Sequence, residues 1–256
     1  MDRKTGGTAT FLKSLTSIVG REHEVVVVTK KTVNSIELEE CELIYLDLSV
    51  LRLPRLLLDF YKIIKRIKPD IVHINVIWMI QSFLFQLASY LNGKKVIIST
   101  HGMMEPWILN RNWLKKTFAL ILYQKWCLKK AAIIHVTSNL EAENFSKLNL
   151  NRVIVNIPNG IDCEYFSLKN SWEKKNRLIF ISRIHPKKGL ENLFLVIKKN
   201  IKYFDKYSVD IIGEGEAKYV SSLKGMVDEL SLGSIVKFKG GLYDRDKLLA
   251  LQKADA

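Results

Sequence analysis

Residues 70–100 read DIVHINVIWMIQSFLFQLASYLNGKKVIIST and place a strand pattern, a helical pattern and a second strand pattern in direct succession. The β-branched run Ile71–Ile74 predicts a buried strand, residues 79–90 predict a buried helix, and Lys95–Thr100 predicts the next strand. The uncharged stretch 71–91 is long enough to cross a bilayer, but polar side chains are costly at that depth. It carries His73, Asn75, Gln81, Ser82 and Gln86. The stretch therefore predicts a strand and a helix of a folded core.

The same alternation continues along the chain in both directions. Further apolar, β-branched runs begin at Glu24, Glu42, Ala132, Val153, Arg177, Val209 and Ile235. Near-continuous apolar strands separated by amphipathic helices indicate parallel sheets that are covered on both faces. The predicted fold class is therefore α/β, with two Rossmann-like domains whose sheets are flanked by helices. A charged break predicts an N-terminal domain at 1–165, a linker at 166–176 and a C-terminal domain at 177–256.

Length and composition exclude several classes of protein. With 256 residues, of which 48% are hydrophobic and 26% charged, the chain can bury a large core, which excludes wholesale disorder and fibrous structure. Its cysteines, Cys41, Cys127 and Cys163, form no CxxC pair and are too scattered for a disulfide framework or a zinc site. No apolar run follows the basic N-terminal residues, as it would in a signal peptide. We therefore expect a reducing, cytoplasmic location.

The formal charge of +14 suggests an anionic partner, and it is shared evenly, since residues 1–165 and 166–256 each carry +7. Nucleic acid is not expected, because no RRM, KH or helix-turn-helix pattern accompanies the charge. Residues 111–130 hold several basic residues and no acidic ones, with apolar residues at helical spacing. We expect those apolar side chains to pack on the first domain while the lysines face an anionic membrane surface, which would make the protein peripheral on the inner face of the plasma membrane. A merely solvated basic face is the alternative.

Ligands of parallel sheets bind at the carboxyl ends of the strands, so the residues after each strand are the candidates for chemistry. Gly6 and Gly7 open the first helix and could bring backbone N–H groups to a phosphate, although an ordinary tight turn has the same pattern. His101, next to Gly102, follows a strand and is a candidate catalytic residue, the alternative being a turn histidine bonded to backbone. Two further histidines lie inside predicted strands and are expected in the core: His73 and His135.

The second domain offers candidates of the same kind. Arg183 and Lys188 straddle a strand-to-helix turn and can converge on a diphosphate beside a helix N-terminus, although a solvated basic turn is the alternative. Residues that end the next two strands would line the same crevice: Gly213, Glu214, Gly215, Gly241 and Leu242. The segment Asp244-Arg245-Asp246 resembles a D-x-D metal motif, but an N-capping Asp244 explains it, so no metal is expected.

These segments, taken in order, resemble the group 1 (family 4) glycosyltransferases of the GT-B fold, which build bacterial surface polysaccharides. The matching segments are the GG loop, HG at 101–102, PNGID at 158–162, SRIHPKKGLENL from 182, IIGEGE from 211 and VKFKGGLYDRDKLLALQKADA from 236. STHGMMEPWILNRNWLKK and HVTSNLEAENF resemble members that make lipopolysaccharide and exopolysaccharide. The resemblance implies a retaining transferase with a nucleotide-sugar donor, a glycan or lipid-linked acceptor, no cofactor and no bound metal.

The resemblance also implies roles for individual residues. Gly7, next to Gly6, would contact the donor diphosphate through its backbone, and Arg183 and Lys188 would neutralise the diphosphate as it leaves. His101 would contact the donor sugar. The turn that holds Gly213, Glu214 and Gly215 would face the donor in the cleft. Gly241 and Leu242 would lie where the nucleotide base is held.

The sequence departs from the family at both ends. The E-x7-E element and the strand before the first glycine loop have no counterpart here, so we expect a chain truncated at both ends, with an incomplete C-terminal domain and weak or absent transferase activity. A non-catalytic nucleotide- or nucleic-acid-binding Rossmann-like protein stays open as the alternative.

Overall fold

The computed structural model describes residues 7–160 and 173–256. The chain divides into two compact units, Met1–Ile161 and Asp162–Ala256. The predicted linker at 166–176 overlaps residues outside the described ranges, so the predicted domain bounds stay a prediction.

The described strands of the first unit form two parallel sheets. In order, they are β1 (Val26–Thr29), β2 (Glu42–Tyr45), β3 (Ile71–Ile74), β4 (Lys95–Ser99), β5 (Ile133–Val136) and β6 (Ile154–Asn156). β1 pairs with β2, and the other four strands lie in the order β3-β4-β5-β6. Ile98 of β4 is in register with Ile134 of β5, which in turn faces Ile154 of β6. Each crossover within the four-stranded sheet contains at least one helix, the usual connection between parallel strands.

The helices of the first unit cover these sheets. They are α1 (Gly7–Val19), α2 (Leu53–Ile67), α3 (Ile80–Leu91), α4 (Pro106–Asn110), α5 (Trp113–Ala119), α6 (Lys125–Lys130) and α7 (Asn139–Ser146). The main core joins β4 and β5 to α6 and α7, and its largest fully buried members include Ile98, Leu128, Ile134 and Phe145. A smaller cluster packs α2 against α3 through Phe60, Ile64 and Ala88. No helix in the described ranges is long and apolar enough to cross a membrane.

The segment 113–130 departs from its predicted packing. It is a continuous helix made of α5, a π-helical turn at Leu120–Gln124, and α6. Gln124, Cys127 and Leu128 are buried, but most of the apolar residues expected to pack on the first domain are exposed. Those exposed residues are Leu114, Phe118, Ile121 and Leu122. The prediction was wrong for them, because the buried side of the helix carries Gln124 and the C-terminal apolar residues instead.

The second unit contains the parallel sheet β7-β8-β9. Its described elements are β7 (Arg177–Ile181), α8 (Leu190–Lys199), α9 (Ile201–Phe204), β8 (Ser208–Ile212), α10 (Ala217–Glu229), β9 (Val236–Gly240) and α11 (Asp244–Lys253). Phe194, Ile197 and Ile211 are fully buried at the centre of its core. Buried Asp210 accepts from Arg177 at 2.6 Å, so its charge is paired. Tyr243, rather than the predicted Asp244, occupies the N-cap position of α11, which therefore begins one residue earlier than an Asp244 cap predicts.

The strand predictions are confirmed. All nine strands of the described chain coincide with the predicted runs to within a few residues at each end, and the uncharged stretch 71–91 folds as β3 and α3. Several of these runs, such as Val26–Thr29 and Ile133–Val136, carry apolar residues on both faces, which is the pattern of a strand covered by helices on each side.

Candidate functional site

In the first unit, polar side chains collect at the carboxyl ends of β3, β4 and β5. His101 follows β4, and its Nε2 lies 3.3 Å from Oδ1 of Asn75, which follows β3. The imidazole ring also packs edge-on against Phe11 of α1, with 4.8 Å between ring centroids. The structure thus places the predicted His101 where the strand-end rule expects a ligand-facing group.

The turn that carries His101 has an uncommon backbone. His101 and Gly102 both have positive φ, at 46° and 72°, a left-handed conformation that costs free energy for a residue with a Cβ. The buried carboxylate of Glu141 holds this turn, because its Oε1 accepts from the Thr100 hydroxyl and from the Gly102 N–H, each at 2.5 Å. Its Oε2 accepts from the N–H and the hydroxyl of Thr137 at 2.9 and 3.0 Å. One carboxylate therefore joins the ends of β4 and β5.

Beneath the turn, Ser99 bridges His73 and His135. Nε2 of His135 lies 2.8 Å from the Ile157 carbonyl, which only accepts, so this nitrogen carries a proton and donates. The Ser99 hydroxyl lies 2.6 Å from Nδ1 of His135 and 2.7 Å from Nε2 of His73. One hydroxyl therefore joins the two histidines inside β3 and β5.

The surroundings of His73 and His101 favour the uncharged form of each ring. Burial, reinforced by His135 and His101, lowers the pKa of His73 to about 4. Burial and His135 lower the pKa of His101 as well, whereas the negative charge of Glu141 acts in the opposite direction. His101 is thus a neutral group at pH 7 that can accept or donate a hydrogen bond.

A second set of contacts attaches the 113–130 helix to this region. The backbone N–H of Trp78, a residue with φ of 72°, donates to Oε1 of Gln124 at 2.8 Å. The Tyr123 hydroxyl donates to the Trp78 carbonyl at 2.8 Å, and the Trp78 indole donates to the Met103 carbonyl at 3.0 Å. The π-helical turn therefore supports the loop after β3, which in turn supports the residues just after His101.

Gly7 is the first residue of α1, so its backbone N–H is among those left free at a helix N-terminus. Among the residues that the structure describes, none would lie within 4 Å of a Cβ at this position. The predicted partner Gly6 lies outside the described residues. A helix N-terminus of this kind favours an anion.

In the second unit, Gly213 and Gly215 are required by close backbone packing. A Cβ on Gly213, whose φ is 151°, would lie 1.8 Å from the Ser182 carbonyl oxygen. A Cβ on Gly215 would lie 2.2 Å from the carbonyl oxygen of Ile184, whose N–H donates to the Glu214 carbonyl at 2.8 Å. The ends of β7 and β8 therefore approach each other on both sides of Arg183.

The same turns border an open groove of about 520 Å³. Residues 213–215, Gly240 and the α10 side chains Val220, Ser221 and Lys224 line it. A Cβ on Gly241 would come within 3.1 Å of the Glu214 side chain, and burial together with that carboxylate raises the pKa of Tyr243. The structure thus places Gly241 next to the side chain of Glu214, in the turn that also holds Gly213 and Gly215. Leu242 follows Gly241 and is half-buried.

Arg183 and Lys188 lie on one connection between β7 and α8. Lys188 ends a short 3₁₀ turn, Pro186–Lys188, in which Nδ1 of His185 accepts from the Lys187 N–H at 3.2 Å. Both side chains are exposed, and no carboxylate in residues 7–160 or 173–256 pairs with either of them. Their charges are therefore available to an anionic ligand. Across the same described ranges, no group of three or more His, Cys, Asp or Glu side chains is arranged to hold a metal ion.

Sequence reasoning missed Phe11, Asn75 and Glu141. Asn75 follows its strand just as His101 does and could have been found by the same rule. Glu141 lies three residues after Ser138, whose hydroxyl accepts from the Glu141 N–H at 3.2 Å, so the spacing indicates a helix cap and hides the contact with the His101 turn.

Two family models together match nearly the whole chain. The model for Glycosyltransferase Family 4 matches residues 5–165, and that for Glycosyl transferases group 1 matches residues 164–256. The chain belongs to glycosyltransferase family 4. No curated protein sequence matches it.

Solved structures show the fold of this family 4 chain. Sucrose-phosphate synthase from Thermosynechococcus elongatus superposes with a TM-score of 0.70 at 18% identity, over 94% of this chain and 65% of that one. HepE of Anabaena in complex with UDP superposes with a TM-score of 0.68 at 16% identity, over 95% of this chain and 68% of HepE. A glycosyltransferase from Rickettsia africae ESF-5 superposes with a TM-score of 0.65 at 17% identity, over 95% of this chain and 66% of the Rickettsia protein. The fold is thus the predicted GT-B α/β fold, and the chain spans about two thirds of the length of these proteins.

Proposed function

We propose that this family 4 chain transfers a sugar from a nucleotide-diphospho-sugar to a glycan or lipid-linked acceptor, with retention of the anomeric configuration, in bacterial surface-polysaccharide synthesis. The observation that carries the proposal is the arrangement in the second unit. Gly213 and Gly215 bring the backbone of two strand ends together around Arg183, and a groove opens beside them. Unpaired cations beside glycine turns are suited to a diphosphate.

The proposed roles follow from charge. During glycosyl transfer, negative charge grows on the leaving diphosphate while the sugar becomes oxocarbenium-like. Arg183 and Lys188 of the second unit, which have no carboxylate partner in the described ranges, would stabilise that charge. In the first unit, the free N–H groups at the N-terminus of α1, which begins at Gly7, favour an anion. With this positive charge supplied by the protein, we propose that no bound metal or cofactor is needed.

His101 would contact the donor sugar as a neutral imidazole. Its Nε2 faces Asn75, so its Nδ1 is the atom that could accept from a sugar hydroxyl. The left-handed turn held by Glu141 fixes the direction of the ring. We propose that Glu214, Gly241 and Leu242 border the nucleotide base.

Solved relatives support a donor of this class. HepE of Anabaena was crystallised with UDP and with UDP-glucose, and TarM of S. aureus with UDP and alpha-GlcNAc-glycerol. We therefore expect a uridine nucleotide as the first donor to test.

Calorimetry tests the donor site. We expect the 256-residue chain to bind UDP or UDP-glucose, and Arg183→Gln to weaken binding by about tenfold to a hundredfold, because a charged hydrogen bond is lost. Lys198→Gln, which removes an exposed lysine of α8 in the same unit, should bind as the parent does. Equal affinity of the parent and Arg183→Gln would contradict the assigned role. Sugar transfer in a radiolabel assay would exclude the non-catalytic alternative.

A further inference from the structure

The 113–130 helix exposes a row of large apolar side chains. Leu114, Phe118, Ile121 and Leu122, here called the outer face, follow the spacing i, i+4, i+7 and i+8 and so lie along one side of the helix. Their exposed fractions are 56%, 68%, 72% and 74%. Trp113 and Trp107, at the N-terminal end, are also exposed. Single exposed apolar residues are common, but a continuous row of this kind marks a surface that is covered in use.

Positive charge continues the same side of the helix. Lys125 and Lys129 follow Leu114 at i+11 and i+15, and both are exposed. Arg111 and Lys115 are exposed at the other end. In residues 71–140, which also include α3, Glu105 is the one acidic residue, and it accepts from the Asn144 amide at 2.8 Å. The outer face is thus apolar in the middle, basic at its ends and almost free of negative charge.

Two lysines of this helix are already engaged by the protein. The Lys116 ammonium donates to the Ile108 carbonyl and lies 5.9 Å from the Trp78 ring, and Lys130 lies 5.7 Å from the ring of Tyr90. Burial, followed by the charge of Arg111, lowers the pKa of Lys116. Lys125 and Lys129 are therefore the charges best placed to meet an external anion beside the outer face.

We propose that the outer face inserts into the headgroup region of an anionic lipid bilayer, with Lys125 and Lys129 bound to lipid phosphates. Large apolar side chains flanked by lysines, on a helix with too many charges to span, are the features of a helix that lies in the interface. A protein partner would need acidic groups to match the lysines, whereas an anionic bilayer supplies negative charge and an apolar interior together. This differs from surface attraction by lysines alone, because the apolar side chains themselves enter the lipid.

The position of this helix gives the insertion a use. Tyr123 and Gln124, on the opposite side of the helix, form hydrogen bonds with the backbone of Trp78. The Trp78 indole in turn donates to the carbonyl of Met103, two residues after His101. Insertion of the helix would therefore act on the loop that lies beside His101. The insertion itself does not depend on the proposed reaction.

Co-sedimentation with vesicles tests the insertion. The 256-residue chain should sediment with phosphatidylglycerol vesicles and not with phosphatidylcholine vesicles. Phe118→Ser/Leu122→Ser should weaken partitioning more than about tenfold through lost apolar burial. Lys125→Gln/Lys129→Gln should weaken it about 25-fold, since each charge near the surface contributes about fivefold. The fluorescence of exposed Trp113 should shift to the blue on binding, and Trp113→Phe should remove that shift.

Matched substitutions on α8 of the second unit serve as controls. Leu195 and Val196 are 51% and 53% exposed and are followed by Lys198 and Lys199. Leu195→Ser/Val196→Ser and Lys198→Gln/Lys199→Gln should leave vesicle binding unchanged, and circular dichroism should show every variant folded. Failure of the parent to bind anionic vesicles, or equal binding by the outer-face variants, would overturn the proposal. So would a parent dimer that the outer-face substitutions convert to monomer without changing vesicle binding, because a second copy would then cover the face.

Discussion

At the scale of single residues, Glu141 decides the geometry of the candidate site in the first unit. Its carboxylate is almost closed to solvent and accepts hydrogen bonds from Thr100, Gly102 and Thr137. Burial favours the protonated form, but these hydrogen bonds together lower the pKa of the carboxyl. Glu141 is therefore a charged group that holds the left-handed turn at His101 without contacting the proposed donor itself.

Glu141→Gln should loosen this turn. The amide places an NH₂ group where one carboxylate oxygen accepted, so either the Gly102 or the Thr137 donors lose a partner, at a cost of about 1–3 kcal/mol in the free energy of unfolding. We also expect the variant to lower the pKa of His101 further, because the negative charge that raises it is gone. Urea unfolding and NMR titration of the His101 ring measure the two effects. Glu143→Gln, an exposed carboxylate on the same helix, is the control.

The difference between parent and Glu141→Gln should depend on pH. The folded-state pKa of Glu141 is lowered, so its stabilising contribution is complete above the unfolded value of about 4.3 and is lost as the pH falls through the folded value. The two proteins should differ most between pH 5 and 7, and the difference should shrink below about pH 4. A difference that stayed constant on acidification would show that the Glu141 carboxylate is not charged in the folded protein.

Sequence patterns predict some of these residues and not others. His101, Arg183 and Gly213 each follow an apolar strand, and the carboxyl-end rule for parallel sheets selects such positions directly. Glu141 eludes the rule because it lies inside a helix, and its contact with Gly102 joins residues far apart in sequence. The sequence spacing indicates only a helix cap. Glu141 also supports the His101 turn because the ends of β4 and β5 lie close together, and only the folded sheet defines that distance.

At the scale of elements, strands were predictable and the face of one helix was not. The run at Val26–Thr29 carries valines on both sides, which by itself indicates a strand covered on both faces. Along 113–130 apolar residues occur around much of the helix, so their spacing does not identify the buried side. That side is set by the hydrogen bonds of Gln124 and Tyr123 with the Trp78 backbone. A π-helical turn at that point changes the helix periodicity, which sequence spacing does not reveal.

The junction of β7 and β8 provides a test at this scale. Gly213→Ala would place a Cβ 1.8 Å from the Ser182 carbonyl at a φ that residues with side chains rarely adopt. We expect a loss of about 1–3 kcal/mol in unfolding free energy and weaker nucleotide binding, because the strand ends on both sides of Arg183 must separate. Denaturation followed by circular dichroism, together with calorimetry with UDP, measures both.

Gly225 gives the matched control for that substitution. It lies inside α10 of the same unit, and a Cβ there would meet nothing within 4 Å. Gly225→Ala should raise stability by about 0.5–1 kcal/mol, because alanine favours a helix interior. If Gly213→Ala proved as stable as the parent and bound UDP equally well, close packing of the two strand ends would not be a requirement of the site.

At the scale of the whole molecule, the charge of +14 is the feature that separates the proposed function from its alternative. A nucleic-acid-binding protein concentrates basic residues on one binding element. Here residues 1–165 and 166–256 carry equal excess, and exposed cations are spread over both units, from Lys65 of α2 to Lys198 of α8. Among them, Arg183 and Lys188 lie beside glycine turns and are suited to a small phosphorylated ligand, whereas the 113–130 helix is suited to a lipid surface.

Ionic strength should therefore affect ligands of different charge in different ways. We expect the Kd for UDP to rise several-fold between about 50 and 500 mM salt, as the Debye length falls from more than 10 Å to under 5 Å, because exposed Arg183 and Lys188 are easily screened. Uridine, which lacks the diphosphate, should bind weakly at both salt concentrations and show little change.

A short DNA duplex should compete poorly at 150 mM salt, since a nonspecific contact needs several phosphates neutralised along one surface. Calorimetry with UDP and uridine and a fluorescence-anisotropy assay with labelled duplex measure the three cases. If the duplex bound more tightly than UDP, with a steep dependence on salt, the nucleic-acid alternative would be favoured over the transferase.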